Sequence, residues 1–76
     1  MKKLIKDPLC IKISNTEDLK KVYFILDFYN AKPYGISFHN FPYYILVYRT
    51  RYTDSQHVST GEHFIQLTTE EFINKY

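Results

Sequence analysis

Few residues of this 76-residue chain have side chains that commonly perform chemistry, and they are widely spaced. Cys10, the single cysteine, could act as a nucleophile if a histidine lay beside it in the folded protein. It falls in a segment with strand-like alternation, however, and no adjacent motif or helix N-terminus would favour its thiolate. We therefore expect a buried, structural cysteine. Because one cysteine cannot form an internal disulfide, a reducing cytoplasm is the expected compartment.

The possible nitrogen ligands for a metal are three histidines, His39, His57 and His63. No two of them have the i, i+4 spacing of a helical metal site, and none belongs to a paired Cys/His pattern of the zinc-binding kind. The two glycines, Gly35 and Gly61, stand alone, so the sequence lacks the glycine-rich loops that bind nucleotide phosphates. The sequence therefore predicts neither a metal site nor a bound cofactor.

Two pairs of neighbouring carboxylates, Glu17 with Asp18 and Glu70 with Glu71, could in principle supply an acid and a base. Each pair falls in the first turn of a predicted helix, where the helix dipole already favours negative charge. We interpret both pairs as helix-start signals. Since no chemically active residues occur at a useful spacing, we predict a protein that is not an enzyme.

A predicted helix over residues 16–30 organises the rest of the chain. Asn15 is placed to cap this helix, and Asp18 stands at its third position. Five residues at helical spacing form one apolar stripe: Leu19, Val22, Tyr23, Leu26 and Tyr29. Other apolar residues lie outside that stripe: Phe24, Ile25 and Phe28. A helix that covers one face of a sheet needs only the stripe, so Phe24 and Phe28 predict self-association into a homo-oligomer.

Several segments have the alternation or the composition of β-strands: residues 9–14, 36–39, 43–50 and 62–67. The strongest is the segment YYILVYRT, because it is dense in the β-branched and aromatic residues that suit a pleated surface. Polar residues dominate the interval 51–61, which we predict to be a long hairpin connection.

A short C-terminal helix is predicted by a capping box and a hydrophobic staple. Thr68 and Glu71 have the spacing of the box, and Leu67 and Phe72 have that of the staple. The expected fold is α+β, with residues 1–76 forming a single domain. It comprises a three- or four-stranded, mostly antiparallel sheet packed by one long helix, in the order β-α-β-β-β-α.

Aromatic residues are more numerous than a small core requires, with eight tyrosines and six phenylalanines. The formal net charge of +2 disfavours a dedicated nucleic-acid-binding domain, and no apolar run approaches the roughly 20 residues that span a membrane. Tyr and Arg are enriched where protein interfaces bind most tightly. We therefore predict a partner-binding surface formed by Tyr44, Tyr48, Arg49, Arg51 and Tyr52. Alternatively, the same basic aromatic surface binds a nucleotide or single-stranded nucleic acid by base stacking.

Three stretches together resemble small α+β proteins encoded by bacteriophages and other mobile elements. They are the helix start NTEDLKK, the segment GISFHNFPYYILVY and the strand-to-helix segment FIQLTTEEFINKY. The resemblance is one of layout, and no binding residue carries over from it. It implies an accessory protein in the host-cell cytoplasm that acts by binding, and such proteins commonly blunt a host defence, redirect a host enzyme or sequester a signalling nucleotide. Of these activities, we predict a protein that inhibits or modulates a host protein, such as a defence protein, by occluding a surface.

Overall fold

The computed structural model describes residues 5–36, 40–57 and 64–76. Over these residues the protein is an α+β structure with a five-stranded sheet and two helices. The strands are β1 (Leu9–Ile13), β2 (Lys32–Pro33), β3 (Tyr43–Tyr48), β4 (Arg51–Ser55) and β5 (Ile65–Thr68). Helix α1 (Thr16–Phe28) follows β1, and helix α2 (Thr69–Lys75) follows β5.

The sheet is mixed, and its strands lie in the spatial order β2-β4-β3-β1-β5. Strand β3 pairs antiparallel with both β1 and β4, which places Ile11 opposite Ile45 and Arg51 opposite Tyr48. Strand β5 runs parallel to β1, and β2 runs parallel to β4. The predicted α+β class is confirmed. The expected sheet of three or four mostly antiparallel strands is too simple, because residue alternation within a segment carries no information on strand direction.

Helix α1 begins at the predicted cap. The Oδ1 atom of Asn15 accepts a hydrogen bond from the N–H of Asp18 at 2.9 Å, and Asp18 in turn accepts one from the N–H of Ser14 at 3.4 Å. These contacts satisfy N–H groups that have no partner inside the helix. The sequence signal for the helix start is thereby confirmed.

The end of α1 lies close to the predicted boundary at Asn30, which adopts a left-handed φ of 62°. The N–H of Asn30 donates to the carbonyl of Asp27, and the N–H of Ala31 donates to that of Leu26, both at 2.9 Å. This pair of bonds is a Schellman motif. It turns the chain at the end of α1 and leads it into the edge strand β2.

Helix α2 has the predicted capping box. The Oγ1 atom of Thr68 accepts from the N–H of Glu71 at 3.1 Å, and Oε1 of Glu71 accepts from the N–H of Thr68 at 2.9 Å. The hydroxyl of Thr69 donates to the carbonyl of Lys12 at 2.7 Å, which ties α2 to β1. A helix of two turns is marginal alone, so the buried Phe72 and this bond to the sheet stabilise it.

The core lies between one face of the sheet and the two helices. Alternate residues of β1 and β3 are buried on this face, as the period of a strand requires. From α1, the predicted stripe packs against them, with Val22 and Leu26 fully buried. The core residues are Ile5, Leu9, Ile11, Ile13, Val22, Leu26, Ala31, Tyr43, Ile45, Val47 and Phe72.

Two strand predictions differ from the structure. The interval 51–61 is not a continuous hairpin connection, because its first five residues form β4 and pair with β3. The sequence RYTDS is polar and lacks an alternating apolar face, so it has no local signal of a strand. The predicted strand 36–39 is not seen at Ile36, which lies outside any strand, and residues 37–39 are outside the described part of the chain. Residues 58–63 are outside it as well, so the prediction for 62–67 is confirmed only from Ile65 onward.

Candidate binding surface

The face of the sheet opposite the core carries the other set of alternate residues. In the pairing of β3 with β4, Leu46 lies opposite Thr53 and Tyr48 lies opposite Arg51, so these four side chains share that face. Within the described residues, both helices pack on the core face instead. We call this second surface the open sheet face; it is formed by Tyr34, Tyr44, Leu46, Tyr48, Arg51, Thr53 and Phe64.

A concave pocket of about 300 Å³ occupies the open sheet face. Two of its rings are largely solvent-exposed, Tyr34 at 65% and Tyr48 at 57%. The Cζ atom of Arg51 lies 5.3 Å from the centre of the Tyr34 ring, at cation–π distance. The pocket therefore combines apolar surface with one positive charge. Its lining residues are Tyr34, Leu46, Tyr48, Arg51, Tyr52, Thr53 and Phe64.

A tight hairpin between β3 and β4 positions Arg49 beside the open sheet face. Its two central residues are Arg49 and Thr50, and Arg49 has a left-handed φ of 57°. Two-residue hairpins commonly require a positive φ because it matches the strand twist, although side chains other than Gly and Asn rarely adopt it. The turn brings Cζ of Arg49 to 5.7 Å from the ring centre of Tyr48.

The short edge strand β2 places Tyr34. The N–H of Lys32 donates to the carbonyl of Thr50, and that of Tyr34 donates to the carbonyl of Tyr52, both at 2.7 Å. Pro33 stands between these two donors, where the ladder needs no N–H and an edge strand tolerates proline. Gly35 follows with a φ of 65°, a conformation that glycine adopts without strain. Tyr34 is thereby positioned beside β4.

The structure separates the five residues predicted to bind a partner. Tyr44, Tyr48 and Arg51 lie together on the open sheet face. Arg49 lies in the adjoining turn, with its guanidinium over Tyr48. Tyr52 lies opposite Val47 and so belongs to the core face, where its ring packs 5.7 Å from that of Tyr23. Tyr52 nevertheless lines the pocket together with Tyr48 and Arg51, whereas Tyr44 and Arg49 lie outside its lining.

Four residues of the surface were missed: Tyr34, Leu46, Thr53 and Phe64. Leu46 has the same strand phase as Tyr48, and Phe64 the same phase as Gln66, so alternation could have identified both. Thr53 lies in β4, whose polar composition predicts a loop rather than a strand. Tyr34 has no local signal, because it reaches the surface only through the pairing of β2 with β4.

A cluster of tyrosines lies on the core side of the sheet. The pKa of Tyr23 is raised from its ordinary value of 10.0 to about 12, mainly by burial and in addition by the neighbouring Tyr43, Tyr52 and Asp54, which disfavour a second negative charge. Burial likewise raises the pKa of Tyr43 and of Tyr52. These hydroxyls stay protonated at neutral pH, and the rings join α1 to β3 and β4.

The side chains that could perform chemistry lie in different elements of the structure. Cys10 is only 1% exposed, so the prediction that it is buried is confirmed. His57 is exposed, and its backbone N–H donates to the Oγ atom of Ser55 at 3.2 Å. His39 and His63 are outside the described residues. The carboxylate pairs occupy the first turns of α1 and α2, as predicted. Over residues 5–36, 40–57 and 64–76, no three His, Cys, Asp or Glu side chains group so that they could hold a metal ion.

The outer surface of α1 also carries exposed rings. Phe24 is 78% exposed and Phe28 is 58% exposed. A shallow, mostly apolar groove of about 530 Å³ runs beside Phe24 toward α2. Its lining residues are Lys20, Lys21, Phe24, Ile25 and Ile73. The two residues predicted to mediate self-association are therefore accessible.

No helix in the described part of the chain has the length and apolar character needed to cross a bilayer. Comparison of the chain with protein-family models, with characterised proteins and with solved structures gives no match. The open sheet face is therefore interpreted from the chemistry of its own residues.

Proposed function

We propose that this protein is a non-enzymatic, phage-type accessory protein that inhibits or modulates a host protein by covering part of its surface. The observation that supports this best is the pocket of the open sheet face, with its exposed Tyr34 and Tyr48 rings and the guanidinium of Arg51. A few residues contribute most of the binding energy in protein interfaces, and Tyr and Arg are enriched among them, especially in pockets that exclude water. The contact is made by this pocket and the side chains around it.

The arrangement of Arg51 favours tight contact. Its guanidinium already lies over Tyr34 in the unbound protein, so less side-chain freedom is lost when a partner binds. A second depression, of about 240 Å³, adjoins Tyr44 on the same side of the sheet. Its lining includes Lys12, Gln66, Thr68 and Glu71, which would form a polar rim around the aromatic centre.

A nucleotide or a single-stranded nucleic acid is the second candidate ligand. It is favoured by the two pairs in which a guanidinium lies over an exposed tyrosine, Arg51 with Tyr34 and Arg49 with Tyr48. Such a pair could stack on a base while the cation contacts phosphate. The formal net charge of +2 weakens this alternative, because phosphate-driven binding depends on many cations.

Capture from bacterial lysate tests the proposal when three immobilised proteins are compared. They are the wild type, the double variant Tyr48→Ser with Arg51→Ser, and the control Lys75→Ser, which removes the same single charge from the end of α2. We expect the wild type and the control to retain a host protein that the double variant loses. A retained protein that is unaffected by the double variant would overturn the assignment of the open sheet face.

Salt distinguishes the two candidate ligands. Binding driven by phosphate weakens steeply between low and physiological ionic strength, whereas an interface centred on apolar and aromatic contacts does not. We therefore expect the captured host protein to remain bound at physiological salt. Fluorescence anisotropy with a labelled single-stranded oligonucleotide tests the nucleic-acid alternative. If the oligonucleotide binds tightly, if salt weakens that binding, and if Arg49→Ala and Arg51→Ala abolish it, nucleic-acid binding would be the better assignment and host-protein binding would be rejected.

A further inference from the structure

The outer surface of α1 points to a second interaction. We propose that two copies of the protein form a symmetric dimer in which their α1 helices pack antiparallel, centred on Phe24. This inference does not depend on what the open sheet face binds. It starts from Phe24, which is 78% exposed at the middle of α1 and is flanked one turn later by Phe28. Such exposed rings on a small soluble domain commonly mark an interface.

The groove beside Phe24 provides room for a partner helix. Apart from the aliphatic stems of Lys20 and Lys21, its walls are Phe24, Ile25 and Ile73. Lysine stems pack on apolar surface while their ammonium groups remain in water. A helix that lies along α1 with an aromatic side chain at its centre would cover this surface, and α1 itself is such a helix.

Charge complementarity identifies the occupant as a second copy. Lys20 and Asp27 are exposed and seven residues apart, close to two turns of about 3.6 residues, so they project from the same side of α1. Phe24 lies between them. A twofold axis passing between residues 23 and 24 is midway between Lys20 and Asp27. It therefore places Lys20 of one copy beside Asp27 of the other, twice, and brings the two Phe24 rings together.

The same geometry explains why an unrelated partner is the weaker choice. A symmetric interface uses one patch on both copies, so the patch must complement itself. A positive group, an aromatic ring and a negative group in that order along one helix meet this condition. Because α1 covers the core face of the sheet, the dimer would leave the two open sheet faces pointing outward. Each dimer would then present two copies of the proposed binding surface.

Charge reversal in the full chain tests this arrangement by sedimentation equilibrium. The wild type should have twice the 9.2 kDa mass of one chain. Lys20→Asp or Asp27→Lys alone puts like charges together at both symmetric contacts and should raise the dissociation constant about tenfold. The double variant Lys20→Asp with Asp27→Lys restores opposite charges and should return the dissociation constant to near the wild-type value. Phe24→Asp should give monomers.

Two controls keep the result interpretable. Lys32→Asp reverses a charge on the edge strand β2 and should leave the dimer intact, and circular dichroism checks that each variant folds. A wild type that is monomeric at every concentration would overturn the proposal. A Phe24→Asp variant that still dimerises would overturn it too. So would a double charge reversal that is no more dimeric than the single ones, because the register would then be wrong.

Discussion

The guanidinium of Arg51 lies 5.3 Å from the centre of the Tyr34 ring, although β4 and β2 are separated in sequence by all of β3. The contact exists because Tyr34 donates its N–H to the carbonyl of Tyr52 and so extends the parallel pairing of β2 with β4. This backbone hydrogen bond at the sheet edge therefore holds Tyr34 beside the other residues that line the pocket on the open sheet face. Residues beyond the hairpin thus contribute to the candidate binding surface.

A double-mutant cycle on Tyr34 and Arg51 should measure this contact. We expect Tyr34→Ala and Arg51→Ala to be non-additive in the free energy of unfolding by about 0.5–1 kcal/mol, the usual value of an exposed cation–π pair. Urea unfolding of the two single variants and the double variant supplies the numbers. Tyr34 with Lys75 is a suitable control, because Lys75 lies at the end of α2 and should give additive effects. Full additivity for Tyr34 and Arg51 would show that the contact contributes no stability.

Arg49→Gly should not destabilise the protein. Arg49 has a φ of 57°, which is strained for a residue with a Cβ atom and free of strain for glycine. Relief of that strain opposes the greater chain entropy of glycine in the unfolded state, so we expect a change in the free energy of unfolding between zero and about +1 kcal/mol. Arg49→Ala is the matched control, because it removes the cation and keeps the Cβ atom. If glycine were less stable than alanine here, the conformation of the turn would be wrong.

The stability of the protein should fall at high pH, starting near pH 10. The unfolded chain releases the Tyr23 proton near the ordinary pKa of 10.0, whereas the folded protein keeps it until about 12. The folded state therefore binds more protons in this interval, and the free energy of unfolding decreases as the pH rises. Below pH 10 both states are protonated, so this contribution is fully present there.

Tyr23→Phe should reduce that alkaline loss, because its ring can still pack against Tyr52 while the ionisable hydroxyl is gone. Urea unfolding at several pH values between neutrality and strong alkali makes the comparison. Some loss should remain, since burial also raises the pKa of Tyr43 and Tyr52. Tyr48→Phe, on the open sheet face, controls for removal of a hydroxyl. An alkaline profile that is the same for Tyr23→Phe and the wild type would contradict the prediction.

Local signals in the sequence predicted the elements that depend on local contacts. Asn15 and Thr68 cap their helices as expected, because capping involves residues only three positions apart. The stripe through Val22 and Leu26 is buried for the same reason, since one helix face repeats every three or four residues. The phase of β3 also placed Tyr44 and Tyr48 on one side of the sheet.

Features that depend on pairing between distant strands could not be predicted in this way. Strand β4 has few apolar residues, so its position became clear only from its register with β3. Strand β2 is only two residues long, Lys32–Pro33, which is too short to show the alternation of a strand. The register of β4 also decides that the Tyr52 ring packs against Tyr23 on the core face, which the sequence of the segment alone does not indicate. The sequence therefore predicted that aromatic and basic residues form the candidate site, but not that Tyr34, Thr53 and Phe64 belong to it.

Thr68→Ala should destabilise the protein by about 1 kcal/mol, and Thr68→Ser should restore most of the loss. The Thr68 hydroxyl accepts from the N–H of Glu71 at 3.1 Å, and alanine would leave that donor without its partner. The effect reaches the core because α2 is only seven residues long and carries the fully buried Phe72. Urea unfolding measures the change, with Thr50→Ala in the exposed hairpin as the control. A loss well below 0.5 kcal/mol, the lower end of the range for such caps, would mean that α2 is stabilised by its docking on β1 and α1 alone.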